Sequence, residues 1–350
     1  MRRWLLCFLA LASSLRAQPP AERPFKIIKL DPALDEIISP DAKLETLGEH
    51  FGLTEGPVWV QHGDDGYLLF SDNAGNEIYK WSPHAPLSVF LQKSGYTGND
   101  VMNAGAQTVT GGGVAILLIG SNGLTLDAQG RLIITAMTDR AVVRLEKDGT
   151  RTMLADRYQG KRFNGPNDIV AKSDGAIYFT DTVWGMRGAE KSPDRELPYS
   201  GFFLIKDGKV TLLGGEKDSD TPNGIALSPD EKHLYVTAGL SKTMRYDVLP
   251  DDTVVNPVKF LDAGIDGIKV DRKGNVYSTV RGSEIWITSP EGKHLGTLQM
   301  PQIATEPRPR IVATNLAFGD ADGKTLYITA CTHLFRIRMK VAGVMPGPTR

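Results

Sequence analysis

The sequence predicts an all-β fold, a six-bladed β-propeller around a central channel, on three observations. Short apolar runs alternate with turn residues throughout, and the 350-residue chain carries 37 glycines and 21 prolines, the punctuation of many short strands. One pattern of polar head, strand, turn and strand recurs six times. The recurrence has a period near that of a propeller blade, with successive heads 67, 45, 56, 43 and 49 residues apart.

The first unit is "EGPVWVQHGDDGYLLFSD", headed by Glu55. The second, "NGLTLDAQGRLIITAMTD", is headed by Asn122, and the third, "NDIVAKSDGAIYFTDTV", by Asn167. "NGIALSPDEKHLYVTAG" follows from Asn223, "DGIKVDRKGNVYSTVRG" from Asp266 and "NLAFGDADGKTLYITACT" from Asn315. In each, a polar head precedes a short apolar strand. A turn rich in Asp, Gly and Lys then leads into a strand of the type Leu-Tyr-Ile-Thr, a hairpin signature. From head to second strand is 10 residues in three units, 11 in two and 13 in the first. A β-sandwich of unrelated hairpins leaves that constancy unexplained. Third strands follow, as in "AVVRLEKDG" from Ala141 and "GFFLIKDGK" from Gly201. Two long insertions interrupt the pattern, at residues 94–120 and at "TVWGMRGAEKSPDRELPYSG" in the third unit. Long loops in a compact domain usually serve a site, so both are candidate pocket walls or lids.

The N-terminus has a different character. Arg2-Arg3, an apolar run from Trp4 to Leu15 and the small residue Ala17 form the pattern of a secretory leader. The run is shorter than the roughly 20 residues that a bilayer span needs. The expected organisation is a leader over 1–17, an extension over 18–44, the propeller over 45–342 and a tail over 343–350. The expected location is secreted or periplasmic, with no membrane partner once the leader is removed. Cys7 lies in the leader and leaves Cys331 alone, which excludes an intrachain disulfide. The net charge is −1 and the basic residues are dispersed, so a nucleic-acid partner has no support.

In a propeller the first strand of each blade runs along the channel, so equivalent heads meet near the axis. Here every head bears a side-chain oxygen: Glu55, Asn122, Asn167, Asn223, Asp266 and Asn315. Carboxylate and amide oxygens suit a hard divalent cation, and no His or Cys among the heads offers a soft-metal site. Asn and Asp also start strands as turn formers, but Glu does not, and six in register exceed that explanation. No Gly-x-Ser-x-Gly elbow, His-Glu-x-x-His or dinucleotide fingerprint is present.

The motifs "TEGPVW", "FNGPNDIV" from Phe163, "TPNGIALSPDEKHLYV" from Thr221 and "DGIKVDRKGNVY" from Asp266 resemble the gluconolactonase/regucalcin-like family of six-bladed propellers, the senescence marker protein family. The resemblance spans roughly residues 45–340. It implies one divalent cation in the channel, Ca2+ foremost with Zn2+, Mg2+ and Mn2+ as alternatives. By motif its ligands would be Glu55, Asn167, Asn223 and Asp266, and Asn122 would line the substrate pocket. The sequence departs from the family at "AMTDRAV", where Thr138 and Asp139 stand near a pocket His found in many members. It departs again at His333, where a small residue is usual.

The expected activity is metal-dependent hydrolysis of a small sugar lactone such as glucono-1,5-lactone. Asp266 would be both ligand and catalytic base, within reach of the attacking water. Asn122, Trp184, Arg187 and His333 are the candidate substrate contacts. The alternatives are hydrolysis of another ester or a phosphotriester, and a non-catalytic extracytoplasmic propeller that binds calcium or carbohydrate.

Overall fold

Each repeated unit folds as antiparallel strands; in five of the six the innermost starts at, or within two residues of, its head, whereas Glu55 lies inside the long strand Leu44–His62. The computed structural model describes residues 22–111, 114–215, 220–281, 283–302 and 311–348, and the expected leader over 1–17 lies outside them. The second sheet runs outward from Leu124–Leu126 through Leu132–Ala136 and Ala141–Leu145 to Arg151–Ala155. The third runs from Pro166–Ala171 through Ile177–Asp181 and Gly201–Lys206 to Lys209–Gly214. The fourth begins at Pro222–Leu227 and the fifth at Ile268–Val270. The strand Lys26–Lys29 pairs with His294–Gln299 on the fifth sheet's outer edge. Four short 3-10 turns interrupt the strands, and no α-helix occurs among the described residues.

The fold is a β-propeller, but the hydrogen bonding divides it into five blade sheets rather than the six expected. The units headed by Asn315 and Glu55 share one sheet. The cause is the continuous strand Leu44–His62. Its first half pairs with the far part of Thr325–Arg338, Leu44 opposite Ile337 and Glu49 opposite His333. Its second half pairs with Asp65–Asp72, Glu55 opposite Ser71 and Trp59 opposite Leu68. The strand entering the first unit is thus hydrogen-bonded to the second strand of the last, which closes the ring and fuses the two units.

Neighbouring sheets pack through the apolar residues of their second and third strands. Tyr178, Tyr277, Tyr327, Phe70, Phe179 and Phe203 are fully buried, and each such side chain contributes about 1.5–3 kcal/mol. This packing holds the inner strands, and therefore the heads, in fixed relation.

Candidate functional site

The heads form a ring because consecutive blades touch at the residue after each head. Gly56, Gly123, Gly224 and Gly267 occupy that position in four units. A β-carbon on them would lie 2.0 Å from the Asn122 carbonyl oxygen, 2.7 Å from that of Asn167, 2.3 Å from that of Asp266 and 2.4 Å from Asn315 Oδ1. Only glycine lets the backbones approach so closely, and Gly56 has in addition a positive φ of 48°.

The threonine of the Leu-Tyr-Ile-Thr strand supplies a second latch. Ser71 Oγ donates to the carbonyl of Asn122 at 2.9 Å, and Thr135 Oγ1 to that of Asn167 at 2.6 Å. Thr180 Oγ1 donates to the carbonyl of Asn223 at 2.6 Å, and Thr237 Oγ1 to that of Asp266 at 2.9 Å. In these four units the second strand thus fixes the main chain of the next head and leaves that head's side chain to the channel, whereas Thr279 and Thr329 bond the Gly267 and Asn315 carbonyls of their own units.

Two carboxylates dominate the ring. Glu55 is 4 % exposed, and Asp266 is half-buried. Burial, then the charges of Asp266 and Asp168, push Glu55 well above the usual carboxylate range. Burial and then Asp168 push Asp266 up in the same way. Gly56 N donates to Glu55 Oε2 at 3.3 Å, and Asn315 also hydrogen-bonds its carboxylate. The Asn223 amide donates from Nδ2 to the Ile265 carbonyl at 3.0 Å and bonds Asp266.

Two channel residues went unnoticed in the sequence. Asp168, directly after the head Asn167, accepts from Ile169 N at 2.9 Å and from Ile225 N at 3.2 Å. Lys269, three residues beyond Asp266, lies 3.7 Å from Asp168 Oδ2 and donates to Asn315 Oδ1 at 3.1 Å. A carboxylate beside a head was a visible signal for Asp168. Lys269 gave none, since a lysine inside "GIKVD" is equally compatible with a solvated strand face.

The donor set fits a hard cation. Oδ1 of Asn122 and Oδ1 of Asn223 are buried with no hydrogen-bond partner, which is costly unless something binds them. The two heads with raised proton affinity are short of compensating positive charge. Among the described residues no three His, Cys, Asp or Glu side chains form a metal cluster, so a cation here would need amide oxygens beside the carboxylates. The Asn315 amide oxygen is occupied by Lys269 and by Leu316 N, which sets it apart from the other heads.

The remaining candidates lie farther out. Trp184 is half-buried on the 3-10 turn Val183–Gly185, whose amide bonds Thr182 Oγ1. Arg187 is exposed, and its guanidinium donates to the Met102 carbonyl. That bond ties the third unit's insertion to residues 94–120, so the structure gives Arg187 a stapling contact. His333 is buried, stacks on Phe335 at 5.5 Å and sits 3.6 Å from Glu49. Those contacts point along the closing sheet, toward neither carboxylate of the ring.

Fold and site together define a propeller with a ring of oxygen donors at one channel mouth. The chain belongs to the family described as the SMP-30/gluconolactonase/LRE-like region, whose model matches residues 53–332. It is 33% identical over 334 residues to the gluconolactonase of Zymomonas mobilis, an alignment covering 91% of this chain and 87% of that protein. A solved gluconolactonase from Xanthomonas campestris superposes with a TM-score of 0.71 at 27% identity, covering 91% of this chain and 98% of that one. Regucalcin from Agrobacterium tumefaciens, described as a calcium-binding protein, matches at a TM-score of 0.66 and 17% identity, over 88% and 98% of the two chains, a likeness of fold.

Proposed function

We propose that this protein is a lactone hydrolase that opens a small sugar lactone of the glucono-1,5-lactone class. The observation that carries the reading is the pair of crowded carboxylates, Glu55 and Asp266, beside the buried, unpartnered amide oxygen of Asn223. Identity to the Zymomonas mobilis gluconolactonase over most of both chains supports the same reading.

Glu55, Asn167, Asn223 and Asp266 would hold one divalent cation, with Ca2+ the best match to an all-oxygen set. When bound, it supplies Lewis-acid polarisation of the lactone carbonyl. Asp266 acts as general base. It is accessible enough to meet a water, as a general base must be. The water oxygen adds to the carbonyl carbon while its proton passes to Asp266. The ring C–O bond then breaks, and the proton returns to the departing ring oxygen as it becomes a hydroxyl. Asn122 presents its free Oδ1 to a substrate hydroxyl. Lys269 and Asn315 hold Asp168 and Glu55 in place from below.

The test is acid release from glucono-1,5-lactone and related lactones, with Ca2+, Zn2+, Mg2+, Mn2+ or chelator. Rapid release that chelator suppresses and a divalent ion restores is expected. No release from any lactone under any of these conditions overturns the reading. The proposal includes export of the protein. N-terminal sequencing of the secreted form checks it, with a start near residue 18 expected.

A further inference from the structure

A second polar cavity lies beside the head ring, of about 460 Å3, a size typical of small-molecule sites. It opens between the second and third sheets, under the two insertions. Those insertions are joined to each other: Ala106 bridges Met186, and Arg187 N donates to the Gly105 carbonyl at 2.6 Å. The long loops therefore form a continuous wall around this space.

The cavity's polar lining includes Thr138, Arg140, Arg162, Asn164, Asp194 and Glu196, with Asn103 at its rim held through Nδ2 on Asp100. Arg140 is spent on structure, since it donates to the main-chain carbonyls of Phe163, Asp194 and Arg162. Thr138 Oγ1 donates to the Leu118 carbonyl at 3.2 Å. Arg162 spends Nη2 on the Asp139 carbonyl at 2.7 Å and keeps its other donors, so a ligand meets one guanidinium beside a larger set of acceptors. Asn164 is 0 % exposed, and its Nδ2 is fixed on the Tyr199 carbonyl at 2.8 Å. Its Oδ1 is buried without a hydrogen-bond partner. The exposed carboxylates of Asp194 and Glu196 add further acceptors. Two guanidiniums against two carboxylates leave no net charge to trap an anion. An acceptor-rich, neutral wall suits a ligand rich in hydroxyl donors.

Asn164 stands three residues before the head Asn167, so the two lie at most about 11 Å apart along the chain. Asp181 sets this segment by accepting from Asn164 N at 2.8 Å and from Gly165 N at 2.7 Å. A ligand at the head ring therefore has this cavity as its neighbour.

We propose that the cavity between the two insertions is a second sugar subsite, built around Asn164, and that the substrate class is the lactone of an oligosaccharide acid. The inference rests on the lactonase reading for the reaction, but the subsite can be tested without turnover. The probes are cellobionate and gluconate, titrated by calorimetry into the full protein with Ca2+, together with kcat/KM for the two corresponding 1,5-lactones. Wild type should bind cellobionate at least tenfold more tightly than gluconate. Asn164→Ala should lose about tenfold of that advantage, the scale of one neutral hydrogen bond. Ala104→Trp, which fills the space from the loop wall, should erase it even if Asn164→Ala folds poorly. The selectivity ratio in kcat/KM should fall in parallel. Equal binding of the two acids by wild type overturns the subsite, as does an advantage that Ala104→Trp retains. Failure to open either lactone counts against the reaction alone, because the binding ratio still decides the subsite.

Discussion

The two ends of the channel are built from the same inner strands and differ in almost every physical respect. At the head end the side chains are Glu55, Asp266, Asp168 and the amides of Asn122, Asn167, Asn223 and Asn315. Three residues further along, about 10 Å deeper, the strands present Val58, Thr125, Val170, Ala226 and Phe318 to a cavity of about 120 Å3, while Lys269 sends its ammonium back to Asp168 and Asn315. The C-terminal segment covers that end. Val344 N bonds the Val270 carbonyl at 3.0 Å, Gly343 N bonds the Gly323 carbonyl at 2.9 Å, and Met345, Pro346 and Gly347 line the cavity floor. One end is polar, crowded with like charge and short of partners. The other is apolar and stoppered. Chemistry concentrates where unmet polar demand meets solvent access, and the apolar end stabilises the blades that hold it.

The largest break in this comparison comes from removing charge at the head end. Glu55→Gln or Asp266→Asn should lower kcat/KM by about 10^3-fold, the scale of losing one preorganised electrostatic partner in a site. Each should also abolish calorimetric binding of Ca2+. A folded Glu55→Gln variant with wild-type turnover and no bound cation would sink the metal-assisted reading.

A smaller effect separates the buried carboxylate behind the ring from those in it. Burial pushes Asp181 up to about 7, against the amides of Asn164 and Gly165, which favour its charged form. A carboxylate whose folded value lies above its unfolded one takes up a proton on folding. Its cost is absent below about pH 4 and grows as pH rises toward 7. Asp181→Asn should remove that slope, worth on the order of 4 kcal/mol. Urea unfolding of wild type and variant from pH 4 to 8 measures it. Parallel curves for the two proteins would show that Asp181 is charged throughout.

The stoppered end gives a smaller effect still, on stability alone. A β-carbon on Gly343 would lie 1.8 Å from Phe318 Cγ, so Gly343→Ala must displace the tail or the ring. A cost of about 2 kcal/mol is expected, as for other overpacked cores, with kcat/KM unchanged. Thermal unfolding and lactone turnover measured together check it. A large loss of turnover at full stability would mean that the two ends communicate.

The heads were legible because they begin strands at a constant spacing, and their ring is what the repeat implies. The threonine of Leu-Tyr-Ile-Thr was visible as a pattern, but its task, holding the next blade's head, is a contact between sheets. Lys269 was illegible because a lysine there reads equally as a solvated strand face, its own strand pairing without a shift, and in three other units inward and outward positions were harder still to tell apart. The register shifts just after the heads, between Glu55 and Val58, Pro166 and Ile169, and Pro222 and Ile225. Such bulges break the two-residue alternation that tells inward from outward. The fusion of the first and last units was hidden as well, because it depends on Leu44–His62 continuing unbroken from one pairing to another.

His333 marks the outer edge of the head end and should give the smallest effect. It follows the irregularity at Cys331 inside the strand Thr325–Arg338, where the register shifts between the Thr54 and Glu49 pairings, so sequence position alone brings it near the channel mouth. The structure turns its ring onto Phe335, with Nδ1 2.9 Å from Thr332 Oγ1 and Nε2 facing Glu49. Burial lowers its proton affinity, which Glu49 partly restores and His50 opposes. A histidine lowered in the folded state disfavours folding once its unfolded form takes up a proton, so stability falls as pH drops below about 6.5. His333→Phe keeps the stacking and removes the titration. It should leave KM within about twofold, the range of an exposed ion pair, and match wild-type thermal stability at pH 8. At pH 5 the variant should be the more stable of the two. A tenfold rise in KM at pH 8 would instead place His333 against the substrate and extend the polar end beyond the ring of heads.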